Sequence, residues 1–140
     1  MELSIRVRFP TIAPYNYLMI QSIVLATRIV SNALPVVGMI LLIPFIENDY
    51  ILALVYVVVI LIALAIHQDE RDRVFVIFGF IASFMAEALF TSTGVETFER
   101  RTLFGIMPLW LPILWAYVFM AMRRAVEALN SYLQSQPASS

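Results

Sequence analysis

The sequence predicts an all-α integral membrane protein: a bundle of four transmembrane helices preceded by a short N-terminal interfacial helix. Three observations predict it. Of 140 residues, 61% are hydrophobic and 14% charged, against roughly 45–50% and about 25% in soluble domains. So small a globule has too much surface to bury that excess, whereas a bilayer solvates it. Apolar runs recur at about the 20-residue length that crosses a hydrocarbon core. The basic residues, all nine of them arginines, then fall mostly on one side of the membrane.

The elements follow in chain order. Residues 1–14, with Glu2, Arg6, Arg8, Pro10 and Pro14, form an N-terminal cytoplasmic segment. No small-residue cleavage pattern follows the apolar run Tyr17–Ala26, so the chain is expected to be mature throughout. Residues 15–27 are apolar but too short to span. Gln21, Arg28 and Asn32 are spaced i, i+7, i+11 and share one helical face. That pattern predicts an interfacial amphipathic helix leading into a first span at about 29–46. A single tilted helix over 15–46 is the rival reading. The first span contains Pro35, Gly38 and Pro44, which membrane helices tolerate, and a kink is expected near Pro35.

The second span, about 50–66, holds no charge, and the third, about 74–93, holds only Glu87. The fourth, about 104–122, is again uncharged. Residues 125–140 continue the last helix into a cytoplasmic extension with a frayed, polar end. With four spans, Arg6, Arg8, Arg28, Arg71, Arg73, Arg123 and Arg124 lie on the side of both termini, and only Arg100 and Arg101 lie opposite. The positive-inside rule therefore makes both termini cytoplasmic, in a cell or inner membrane. A fifth span would spoil this bias.

Composition excludes several classes. A net charge of −1 offers no basic face for nucleic acid. The absence of cysteine excludes disulfides, thiol catalysis and thiolate metal sites. The run His67-Gln68-Asp69-Glu70-Arg71-Asp72-Arg73 reads as a polar loop between helices, not as a metal site, and no metal or cofactor is implied.

Glu87 is the most informative residue. An ionisable group inside a span is costly and marks function or pairing. Gly79, Ser83, Glu87 and Thr91 recur at i+4, a small and polar stripe suited to close packing on another helix. The functional reading of Ser83, Glu87 and Thr91 is a ligand or proton site. The bland reading is helix-packing glue, or a Glu87 paired with Arg100 or Arg101. Arg100 and Arg101 are also candidates for a phosphate or lipid head group. In the last span, Trp110 fits an aromatic belt. Trp115 and Tyr117 lie deeper, where they pack inside the bundle or touch a ligand. Pro112 is expected to bend that helix.

Glu87, Gly94, Phe98 and Gly105, followed by Pro108-Leu109-Trp110-Leu111-Pro112-Ile113-Leu114-Trp115, resemble a segment of the carotenoid hydratase and lycopene cyclase type membrane proteins. The resemblance covers residues 87–115 alone; those hydratases are longer, and their other acidic positions find no match here. It implies a pocket around Glu87 and Trp115 for an isoprenoid-like chain. The same residues suit an uncharacterised small multi-pass membrane family.

Three functional readings result. The first is a non-catalytic membrane protein: lipid-binding, or an accessory or assembly subunit meeting a membrane protein partner or its own copy. The second is a membrane enzyme on an isoprenoid or lipid with Glu87 as acid/base. The third is a proton-coupled carrier, which would want more polar groups in the membrane than Glu87. The surroundings of Glu87 discriminate: a closed apolar pocket, a wet path, or dense packing.

Overall fold

The computed structural model describes residues 14–135. The expected N-terminal segment before Pro14 and the end of the tail, 136–140, lie outside the described residues. Four helices make up the fold: α1 (Pro14–Leu42), α2 (Asp49–His67), α3 (Glu70–Ser92) and α4 (Trp110–Ser135). Three of them are long and apolar enough to cross a membrane: α1 from Met19 onward, α2 and α3. α4 does not join them, since Arg123, Arg124 and Glu127 follow its apolar first half.

Local chemistry sets the boundaries of α2 and α3. The Asn48 side chain accepts hydrogen bonds from the Tyr50 and Ile51 N–H groups at 2.9 and 3.3 Å, satisfying two donors that a helix start leaves orphaned. α2 ends at Gln68, which adopts a left-handed conformation with φ 46°. Asp69 then caps α3 by accepting from the Arg71 N–H at 2.9 Å, and Glu70 and Asp72 place negative charge in its first turn, where the helix dipole favours it. With only Gln68 and Asp69 between them, α2 and α3 run antiparallel.

Two expected elements differ. α1 is one continuous helix through Pro35, not an interfacial helix followed by a span. Its polar residues do not break it, because they fold back onto its own carbonyls. Thr27 donates to Ile23 O, and Ser31 and Asn32 both donate to Arg28 O. α4 starts at Trp110, not near residue 104. The segment before it turns tightly: Phe104 and Gly105 have φ of 53° and 73°, and Leu103 N–H donates to Met107 O at 2.8 Å. Pro112 is consequently the third residue of α4, where its missing N–H would have had no partner within the helix. The bend expected there has no cause.

α4 is the hub. It packs against all three other helices and most extensively against α3, while α2 and α3 barely touch beyond their turn. The core joins Met39, Leu52, Tyr56 and Ile60 to Leu114, Tyr117 and Met120. Tyr56 donates its hydroxyl to Met39 O at 2.5 Å and meets Trp110 edge-on at 6.3 Å. Gly79 sets the α3–α4 approach: a Cβ there would stand 2.7 Å from the Phe119 Cβ, so only glycine lets the two helices come this close.

Candidate functional site

Charged groups gather at both ends of the bundle. At the end holding the α2–α3 turn, Asp72 is only 1% exposed. It accepts from Arg123 Nη1, and from Arg124 Nε and Nη2 at 2.9 and 2.5 Å. Arg123 Nη2 donates to Asp69 and to Glu127 Oε1, the latter at 2.7 Å. Arg71 pairs with Glu127 at 3.5 Å from the exposed side. Arg71, Arg123 and Arg124 thus balance Asp69, Asp72 and Glu127. Buried charges persist only when paired and hydrogen-bonded in this way. The Arg71 N–H and the Arg123 guanidinium hold the Asp69 carboxyl below the usual carboxylate range. Arg124 Nη2 also donates to Ala63 O at 3.2 Å, setting a cation at the C-terminal end of α2 where the dipole favours it. His67, with its proton on Nδ1, donates to the same carbonyl at 3.2 Å.

The opposite end repeats the device. Asp49, in the first turn of α2, is 3% exposed. It accepts from Arg100 Nη1 at 3.2 Å and from Thr102 Oγ1 at 2.7 Å. Arg100 also donates to Ile46 O, and Thr102 accepts from the Leu109 N–H at 3.0 Å. Arg100 is therefore tied to Asp49 and not to Glu87. Arg101 stays exposed and donates to Phe98 O.

Both clusters escape sequence reasoning. The 67–73 run reads as a solvated loop, yet Asp72 is sealed inside the bundle. The available signal was the Arg123-Arg124 pair just past the last apolar run, on the same side of the predicted topology as Asp69 and Asp72. Groups of opposite charge at one membrane level seek each other.

The third feature is the α3 stripe. Ser83 is buried, and Glu87 and Thr91 are half-buried. Ser83 Oγ, Glu87 Oε2, Thr91 Oγ1 and Trp110 Nε1 are buried atoms with no hydrogen-bond partner among the described residues. Such orphans are few in native proteins and call for a reason. Glu96 and Trp115 face Glu87. Trp115, expected to pack inside the bundle or touch a ligand, is 39% exposed, while Tyr117 is buried in the core. The structure brings Ser83, Glu87 and Thr91 onto one stripe of α3, buried at Ser83 and half-buried at the other two; it sets Trp115 beside Glu87 at the edge of the bundle and Tyr117 in a cavity with Arg124.

Cavities open elsewhere. Between α2 and α3, backed by Ile113 and Ala116 of α4, lies a wholly apolar cleft of about 480 Å³. A second cavity, of about 230 Å³, lies between α1, α2 and α4, and Asn32, His67, Tyr117 and Arg124 help line it. Glu87 lines neither. No group of three or more His, Cys, Asp or Glu suited to a metal ion occurs among the described residues.

The sequence pattern of one family, described as a protein of unknown function (DUF2878), matches residues 41–137. No curated protein and no solved structure matches the chain. Nothing in these comparisons links it to the carotenoid hydratases or lycopene cyclases, so the resemblance over residues 87–115 does not carry a family assignment.

Proposed function

The chain belongs to the DUF2878 family of proteins of unknown function, and on that premise we propose that it is a non-catalytic integral membrane protein, an accessory or assembly subunit with an apolar surface for lipid and a membrane partner. The observation that carries this reading is the unclosed seam between α2 and α3. These helices are linked by two residues, yet they part into an apolar cleft of about 480 Å³. In water such a gap would collapse or leave Leu61, Ile77 and Ile81 exposed side by side, a cost that water imposes and hydrocarbon does not. In a bilayer, an acyl chain or a partner helix fills it. The ion pairs of Asp49 and Asp72 support the same reading, because they commit buried charge to holding helices together.

A second reading has one observation in its favour. Glu87 Oε2, with Ser83 Oγ and Thr91 Oγ1 on the same stripe of α3, is a polar atom that an incoming hydroxyl or water would satisfy. That reading makes Glu87 an acid/base group acting on an isoprenoid or lipid.

Native mass spectrometry with organic extraction, on the mildly purified protein and on Glu87→Gln, separates the two. Bulk lipid or a protein partner in both samples is expected from an accessory subunit. A stoichiometric small ligand that is lost in Glu87→Gln would overturn it in favour of the enzyme.

A further inference from the structure

The cavity between α1, α2 and α4 differs in kind from the apolar cleft. Its lining joins hydrocarbon from Pro35, Val59, Ile62 and Ile66 to polar groups from Ser31, Asn32, His67, Tyr117 and Arg124. Ser31, Asn32 and His67 Nδ1 donate to Arg28 O and Ala63 O, so the donors left to face the cavity are those of Arg124 and Tyr117, and no carboxylate lines it. Arg124 is 9% exposed. Its Nε and Nη2 serve Asp72 and Ala63 O, which leaves Nη1 without a partner among the described residues. Asp72 holds the far edge of the same guanidinium, so it fixes the group without occupying the cavity. The Tyr117 hydroxyl makes no hydrogen bond among the described residues. Asn32 donates its amide to Arg28 O and keeps its Oδ1 open. Arg28, one turn earlier on α1, lines a separate cavity beside Tyr132.

Depth gives the ligand class. His67 is the last residue of α2, so the polar half of the cavity sits where that span ends. In a bilayer this is the level of lipid phosphates. The apolar half runs back along α2 from Ile66 to Val59, toward the hydrocarbon. A volume of about 230 Å³ is below the ~300 Å³ at which pockets begin to hold a whole drug-sized ligand; it fits a head group whose chains leave sideways between α1 and α2. We propose that this cavity binds the phosphate of an anionic phospholipid, held by Arg124 Nη1 and the Tyr117 hydroxyl, with its acyl chains lying against α2. The assignment rests on the reading of α1–α3 as membrane-embedded.

The test uses the full chain, delipidated in detergent and offered phosphatidylglycerol, phosphatidylcholine of the same chains, or inorganic phosphate, with binding read by native mass spectrometry. Phosphatidylglycerol is expected to bind one per chain and be retained at least tenfold over phosphatidylcholine. Tyr117→Phe should lower that retention about tenfold, the worth of one hydrogen bond to a charged group. Ser31→Leu, at an exposed position of α1 away from the ion pairs, should block the cavity and abolish the preference. No preference between the two lipids, or full retention in both variants, would overturn the proposal. So would equal protection by inorganic phosphate alone, which would make this a site for the free ion. Release of the chain from membranes by alkaline carbonate would instead sink the membrane reading beneath it, and is scored separately.

Discussion

Asp72 shows how much one side chain can organise. It binds two arginines from a helix some fifty residues away. Replacing it by asparagine removes the charge and leaves Arg123 and Arg124 buried with too little compensation. Asp72→Asn is expected to cost about 3–5 kcal/mol, the range for breaking a buried pair from one side. Thermal unfolding in detergent measures this; a loss below about 1 kcal/mol would show the cluster to be solvated. The same residue marks where sequence reading stops. Glu87, Ser83 and Thr91 were legible because i+4 spacing is local. Asp72 was not, because a carboxylate among loop charges reads as solvated until its distant partner is known. Trp115 was legible in part: it stands against Glu87 as the packing of the two helices implied, but its 39% exposure was not, because the direction a side chain faces depends on which neighbours pack there.

At the level of single helices, α2 was the easiest to read, since it is uncharged from Tyr50 to Ile66 and flanked by Asn48 and Gln68. α1 and α4 were harder. Polar residues in α1 suggested a break, but their side chains bond back to the helix. Apolar residues before Trp110 suggested helix, but the left-handed Phe104-Gly105 turn intervenes. The start of α3 carries a pH dependence. The Arg71 N–H and Arg123 hold the Asp69 carboxyl below its ordinary range. A depressed pKa contributes stability that is full above the unfolded value, near 3.9. That contribution is lost as pH falls through the folded value. Apparent Tm is therefore expected to drop below about pH 4. Asp69→Asn should lower Tm at neutral pH and flatten the acid-side drop. An unchanged acid profile in that variant would show that Asp69 contributes nothing to the capping and pairing.

For the whole molecule, the testable property is the side on which each turn lies. Four antiparallel helices put the α1–α2 turn and the α3–α4 connection at one end, and the α2–α3 turn and the close of α4 at the other. The chain has no cysteine, so single cysteines report without background. Glu47→Cys and Val95→Cys should react with an impermeant maleimide from one face of sealed vesicles. Gln68→Cys and Ser131→Cys should react only from the other. Reaction of Val95→Cys and Ser131→Cys from the same face would show that α4 does not cross. Beyond geometry, the placement of the arginines has a consequence in time. Asp49 and Asp72 are made before the residues that neutralise them, and Arg123 and Arg124 emerge from the ribosome after three helices are complete. A nascent chain halted before α4 would already hold Arg100 and Thr102 for Asp49, but it would carry Asp72 unmatched and no hub to pack on. Pairing of Asp72 thus waits on completion of α4, so a chain cut before Arg123 is expected to be more open to proteolysis than the full one.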